Sequence, residues 1–201
     1  MSILMTVDEM KKTLRERLKP GRYRHSLGVA DTAVFLAKRF RVDEEKAYIA
    51  GLLHDCAREF PNEALREEAA KRGIAIGKVE EAMPLLLHAY VGAVRVKECY
   101  GVEDSEIAQA IWRHTVGGPN MTALDKIIYY ADMIEPNRNY PEVEELRQYA
   151  RERSLDEMML KGLSESIIFV AQKGSLIHPD TVQARNEILW KNMRKETPLE
   201  G

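Results

Sequence analysis

Five histidines occur in the 201 residues. Four of them, His25, His54, His88 and His114, fall where an apolar helical pattern turns them inward. Two carboxylates are also inward: Asp55, joined to His54 as a dipeptide, and Asp132. A lone histidine on an apolar stripe is ordinarily a satisfied core residue. Burying this many ionisable groups without compensation costs several kcal/mol, and a shared dication removes most of that cost. Imidazole with carboxylate suits a divalent transition metal, whereas magnesium and calcium sites are built mainly from oxygen. The expectation is a binuclear centre. Successive side chains on a helix diverge by roughly 100°, so His54 can face one ion while Asp55 reaches between two. The partition that follows gives His25, His54, Asp55 and Asp132 to one metal, and Asp55, His88 and His114 to the other. Six side chains leave coordination positions open. Metal coordination brings the pKa of water from about 15.7 to about 7, so a nucleophile exists at neutral pH without serine or cysteine.

Basic residues flank these positions. Arg22 lies three before His25 and Arg58 three after Asp55, each about one helical turn from a ligand. Guanidinium groups there can clamp phosphate oxygens; Arg24, Lys126 and Arg138 are further candidates. Metal ions beside arginines describe a phosphoanhydride or phosphoester hydrolase, with Asp55, Arg58 and Arg22 as the catalytic candidates.

The elements that must position these groups are helical. Apolar residues recur at spacings of three and four, and strand-like alternation is scarce. The chain reads as all-α. A first helix is expected over about Val7 to Lys19, stopped by Pro20-Gly21. The next carries His25, Gly28, Val29, Thr32 and Leu36 on one stripe. Asp43 caps a third, in which Ala47, Ala50, Gly51 and His54 share a face and the small residues permit close backbone approach. A charged segment runs to about Arg72, followed by a Gly73 to Gly77 connection. A helix starting near Met83-Pro84 carries His88, Val91, Gly92 and Arg95. Asp104 or Ser105 caps another, ending at His114. Thr122 and Asp125 form a capping box ahead of LDKIIYYADMI, with an end near Glu135 set by Pro136. Ser154 and Glu157 form a second box, opening a helix from about Leu155 to Lys173 with Gly174 as its stop. SLIHPD is a loop, Thr181 to about Arg194 the last helix, and the tail KETPLEG frays.

Composition sets the surroundings. Lys+Arg total 30 against Asp+Glu 32, a formal net charge of -2, so no basic field recruits nucleic acid or an anionic membrane. Cys56 and Cys99 lack a CxxC spacing and read as buried thiols of a reducing compartment. No segment has the length and apolarity of a signal or membrane span, and a soluble, cytoplasmic protein is expected. A homodimer is the base-rate expectation.

The stretches RYRHSLGVADTA, AGLLHDCAREF, LLLHAYVGA, IWRHTVGG, LDKIIYYADMIEPNR and LIHPDTVQARN resemble, in order, the HD-domain phosphohydrolase superfamily and its branch of YqeK-type symmetrical diadenosine tetraphosphate hydrolases. The likeness runs from about residue 10 to residue 190. The His-Asp dipeptide alone is a weak signal, and the ordered series a strong one. The resemblance implies one HD-domain helical bundle over residues 1–201, with helix 1–19 and the helices of 154–196 packed on it. It further implies cleavage of the tetraphosphate into two nucleoside diphosphates at a di-iron or similar centre. The metal ligands it carries across are His25, His54, Asp55, His88, His114 and Asp132. Arg58 stands where relatives often have lysine. His178 falls in a loop on the nucleoside side, joining Arg22, Arg58 and Arg138 as a substrate-binding candidate, the alternative being a hydrogen-bonded loop histidine before Pro179. Manganese, cobalt, nickel and zinc suit the same donors. From residue pattern alone, the alternatives are another nucleotide hydrolase of this superfamily, a non-catalytic nucleotide sensor, or a helical module with buried histidines.

Overall fold

Side-chain caps set the helix starts. Thr6 with Glu9, Thr122 with Asp125 and Ser154 with Glu157 each form a reciprocal capping box, while Asp43 and Asp104 accept backbone N–H groups of their helices' first turns. The computed structural model describes residues 4–196, and among these residues no β-strand forms. The helices are α1 (Val7–Arg17), α2 (Pro20–Phe40), α3 (Glu44–Leu53), α4 (Asn62–Lys71), α5 (Lys78–Ala82), α6 (Leu87–Tyr100), α7 (Ser105–Arg113), α8 (Ala123–Ile134), α9 (Val143–Glu152), α10 (Leu155–Gln172) and α11 (Pro179–Glu196). Short 3-10 turns at Cys56–Glu59 and Pro84–Leu86 follow α3 and precede α6.

The core forms where α2, α3, α7 and α8 pack together, with α6 against α7 and α10 against α8 and α11. Leu36, Leu52, Ile107, Ile111, Ile127 and Tyr130 are among its fully buried side chains. The expected close approach at Gly51 is real: a Cβ there would lie 2.9 Å from the Ala30 Cα, so α2 and α3 meet backbone to backbone. A smaller apolar cluster of Leu65, Ala69, Leu87 and Val91 joins α4 to α6.

Several boundaries differ from the sequence expectation. Pro20 does not only stop α1; it opens α2 at the first helical position, where its missing N–H has no partner to lose. Pro179 does the same for α11, two residues ahead of the expected start. The segment after Gly77 forms the five-residue α5, and α9 lies where no helix is expected, because its inward face is only Val143, Leu146 and Ala150 among charged residues. The frayed tail expected at KETPLEG falls mostly outside the described residues.

Candidate metal centre

Each candidate ligand sits at or near a helix end. His25 lies in the second turn of α2, His54 immediately follows α3, His88 is the second residue of α6, His114 immediately follows α7, and Asp132 is in the last turn of α8. Backbone carbonyls at three of these ends orient the imidazoles. His54 Nδ1 donates to the Gly51 carbonyl at 2.7 Å and His114 Nδ1 to that of Ile111 at 2.6 Å. His88 Nδ1 donates in the same way to the Leu85 carbonyl. In all three the acceptor is the carbonyl three residues upstream. His25 is the exception, donating from Nδ1 to Glu135 Oε1 at 3.0 Å.

A carbonyl or carboxylate oxygen can only accept, so each Nδ1 carries a proton and, in the neutral ring, each Nε2 keeps a lone pair. The four Nε2 atoms converge. Those of His25 and His54 lie 3.2 Å apart and those of His88 and His114 3.0 Å. Asp55 sits between the pairs. Its Oδ2 is 3.4 Å from His54 Nε2 and 3.7 Å from His25 Nε2, while Oδ1 is 3.1 Å from His88 Nε2 and 3.8 Å from His114 Nε2. Asp132 Oδ1 lies 3.0 Å from His25 Nε2 and 3.9 Å from His54 Nε2. Lone pairs facing lone pairs and carboxylate oxygens are repulsive unless positive charge lies among them. The donor set therefore fits divalent metal. Donor atoms of His25, His54 and Asp55, of His54, His114 and Asp132, and of Asp55, His88 and His114 lie within 4.8 Å of one another in each group.

The protein's own charges tell the same story. Burial works against ionising Asp55 and Asp132, yet both are held well below the usual carboxylate range, Asp55 by His54 and His88, and Asp132 by His25, His54 and Arg138. Burial also pulls His54 down, but Asp55 and Asp132 outweigh it and leave it raised. His114 is pushed down to about 3 by burial and by the charges of His54 and His88. Protons and a cation compete for the same lone pairs.

Two of the candidate arginines bond to this centre, and a third, Arg58, feels its charges. Arg22 Nη1 donates to Asp55 Oδ2 at 2.8 Å, and Arg138 binds both the Asp132 carboxylate and, through Nε, its backbone carbonyl at 2.8 Å. Arg58 is half-buried; the charges acting on it are Asp55, Arg22 and Asp132, and burial leaves it below the ordinary arginine value. Lys126 is not brought here, since its Nζ binds Asp156, and Arg24 is exposed on α2. His178 stands apart from the imidazole cluster. Its Nε2 donates to Glu80 Oε1 at 2.9 Å and its Nδ1 accepts from the Asp180 N–H at 3.1 Å.

Two residues escaped the sequence reading. Glu135, 1% exposed, orients His25; its only signal was a spacing of one helical turn after Asp132. The Thr115 hydroxyl lies 3.1 Å from His114 Nε2 and 3.4 Å from His88 Nε2, and nothing in its sequence position marked it. Two clefts adjoin the centre. One of about 610 Å³ is lined by Asp132, Arg138, Tyr140, Glu165 and Phe169. The other, of about 180 Å³, is lined by Thr115, His178, Thr181 and, again, Phe169.

Residues 22–137 match the HD domain family. The chain is 38% identical over 182 residues to a Bacillus subtilis protein named symmetrical bis(5'-nucleosyl)-tetraphosphatase, spanning 90% of this chain and 97% of that one. A protein of the same name from Halalkalibacterium halodurans is 39% identical over 180 residues, covering 88% and 93% respectively. A crystal structure from Clostridium acetobutylicum, described as a predicted HD superfamily hydrolase involved in NAD metabolism, superposes with a TM-score of 0.89 at 41% identity, covering 93% of this chain and 98% of that one.

Proposed function

The chain belongs to the HD-domain family, and from that premise we propose that it hydrolyses diadenosine tetraphosphate symmetrically to two molecules of ADP. The observation that carries the reading is the Asp55 carboxylate, with one oxygen toward His25 and His54 and the other toward His88 and His114. In this reading His25, His54, Asp55 and Asp132 hold one divalent transition-metal ion, and Asp55, His88 and His114 hold a second, with iron as the native metal. Such ions, when bound, polarise phosphoryl oxygens and make water a nucleophile near neutral pH.

The protein's own groups do the rest. The oxygen of water bonds to one of the two inner phosphorus atoms and its protons pass to solvent, the central P–O–P bond breaks, and one ADP departs with the bridging oxygen while the other keeps the oxygen of water. Arg22, Arg58 and Arg138 neutralise the flanking phosphates, which requires Arg22 and Arg138 to exchange carboxylate oxygens for phosphate oxygens. Guanidinium accepts that exchange readily because its planar fork suits both anions. His178, with both ring nitrogens engaged, contributes a wall of the smaller cleft. The chain acts as one HD domain in the cytoplasm, as a homodimer, on a small nucleotide. Metal-loaded protein is expected to convert diadenosine tetraphosphate to ADP alone in chromatographic product analysis; ATP with AMP as products would reject the symmetrical cut.

A further inference from the structure

We infer that Glu135 is a positioning residue that sets the metal-binding strength of the His25 side of the centre, independently of the His88 side. The inference rests on the proposal that these histidines hold metal. Glu135 is buried and both its oxygens are committed: Oε1 accepts from His25 Nδ1, while Oε2 accepts from the Asn137 backbone N–H at 2.7 Å and from its side-chain Nδ2 at 2.8 Å. The turn beneath it is fixed as well, because the Glu135 carbonyl accepts from the Arg138 N–H at 2.9 Å and from Arg147 Nη2 at 2.8 Å. Room for the carboxylate exists only because residue 28 is glycine; a Cβ there would lie 2.5 Å from Oε2.

His54, His88 and His114 lean on neutral carbonyls, whereas His25 leans on an anion. A carboxylate behind an imidazole raises the basicity of the opposite nitrogen and fixes the ring's orientation, and losing such a partner typically weakens metal binding about 10- to 100-fold. An amide cannot substitute for it. After Glu135→Gln, a single oxygen would serve two sets of donors, so either the two N–H groups of Asn137 or that of His25 Nδ1 would face an NH₂ group. In the second arrangement the His25 proton is driven to Nε2 and the lone pair facing the centre is lost.

The test isolates each side. His114→Ala leaves the His25 side as the intact position, and His25→Ala leaves the His88 side. Cobalt(II) is titrated anaerobically into metal-free protein, followed by calorimetry and by the cobalt d–d absorption. Adding Glu135→Gln to His114→Ala is expected to weaken cobalt binding about 10- to 100-fold, and adding it to His25→Ala to leave binding unchanged. Gly28→Ala, which crowds the carboxylate without removing it, is the second variant and should weaken binding in the His114→Ala background only. Equal weakening in both backgrounds, or none in either, overturns the role of Glu135. If the wild-type protein takes up no cobalt, the metal proposal itself fails and this inference with it.

Discussion

At the scale of the residue, the candidate ligands were legible because their types are costly to bury and their positions share apolar faces. His25, His54, Asp55, His88, His114 and Asp132 do converge. What the sequence hid was the partner of each ring: three of the four are backbone carbonyls, which no residue type announces, and the fourth is Glu135, indistinguishable in a string from an ordinary helix-end acid. Among the arginines, Arg58 differs from Arg22 and Arg138, which are bound to Asp55 and Asp132. Its contribution should therefore appear cleanly on substitution. Arg58→Ala is expected to lower kcat/KM for diadenosine tetraphosphate by about 10- to 100-fold, the range for losing a charged hydrogen bond, with metal content unchanged by elemental analysis. A variant with full activity would remove Arg58 from the proposed phosphate contacts.

At the scale of the element, helix starts with a side-chain cap were readable, and Thr122, Asp43 and Ser154 cap as expected. Short elements were not, since α5 buries only Glu80, a residue that looks destined for solvent. That glutamate is held by His178 and by the Tyr90 hydroxyl at 3.1 Å, so one carboxylate ties α5, α6 and the start of α11 together. Burial raises its pKa, but the bonds from His178 and Tyr90 prevail and hold it below the ordinary 4.5. The folded state thus binds fewer protons here than the unfolded state. This part of the stability is complete above about pH 4.5 and is lost as pH falls through the lower folded value. Glu80→Gln should accordingly flatten the acid limb of a plot of Tm against pH below about 4.5, and an acid limb as steep as that of the wild type would show that the tie contributes nothing.

At the scale of the whole molecule, the helical class followed from periodicity, and no helix of the described residues is long and apolar enough to cross a membrane. The outward face was harder to foresee. Phe169, Trp190 and Met193 are each about 60% exposed on α10 and α11, helices whose apolar content gives no hint of which side is out. The centre joins ends of α2, α3, α6, α7 and α8, so a ligand held there links five of the eleven helices of the described residues. Binding to the folded state alone at 100 times Kd adds about 2.7 kcal/mol, and stripping the metal is expected to lower Tm by about 5 to 10 °C. A melting curve indifferent to chelation would instead favour a helical module whose histidines are merely buried.

Three imidazoles of this centre take their bearings from main-chain oxygen, which survives every amino-acid replacement short of one that breaks the helix end. Only His25 relies on a neighbour that a single codon change can delete. Random mutation should thus erode the two halves of the centre at unequal rates: one is insured by the polypeptide itself, and the other stays hostage to a lone glutamate and the glycine that makes space for it.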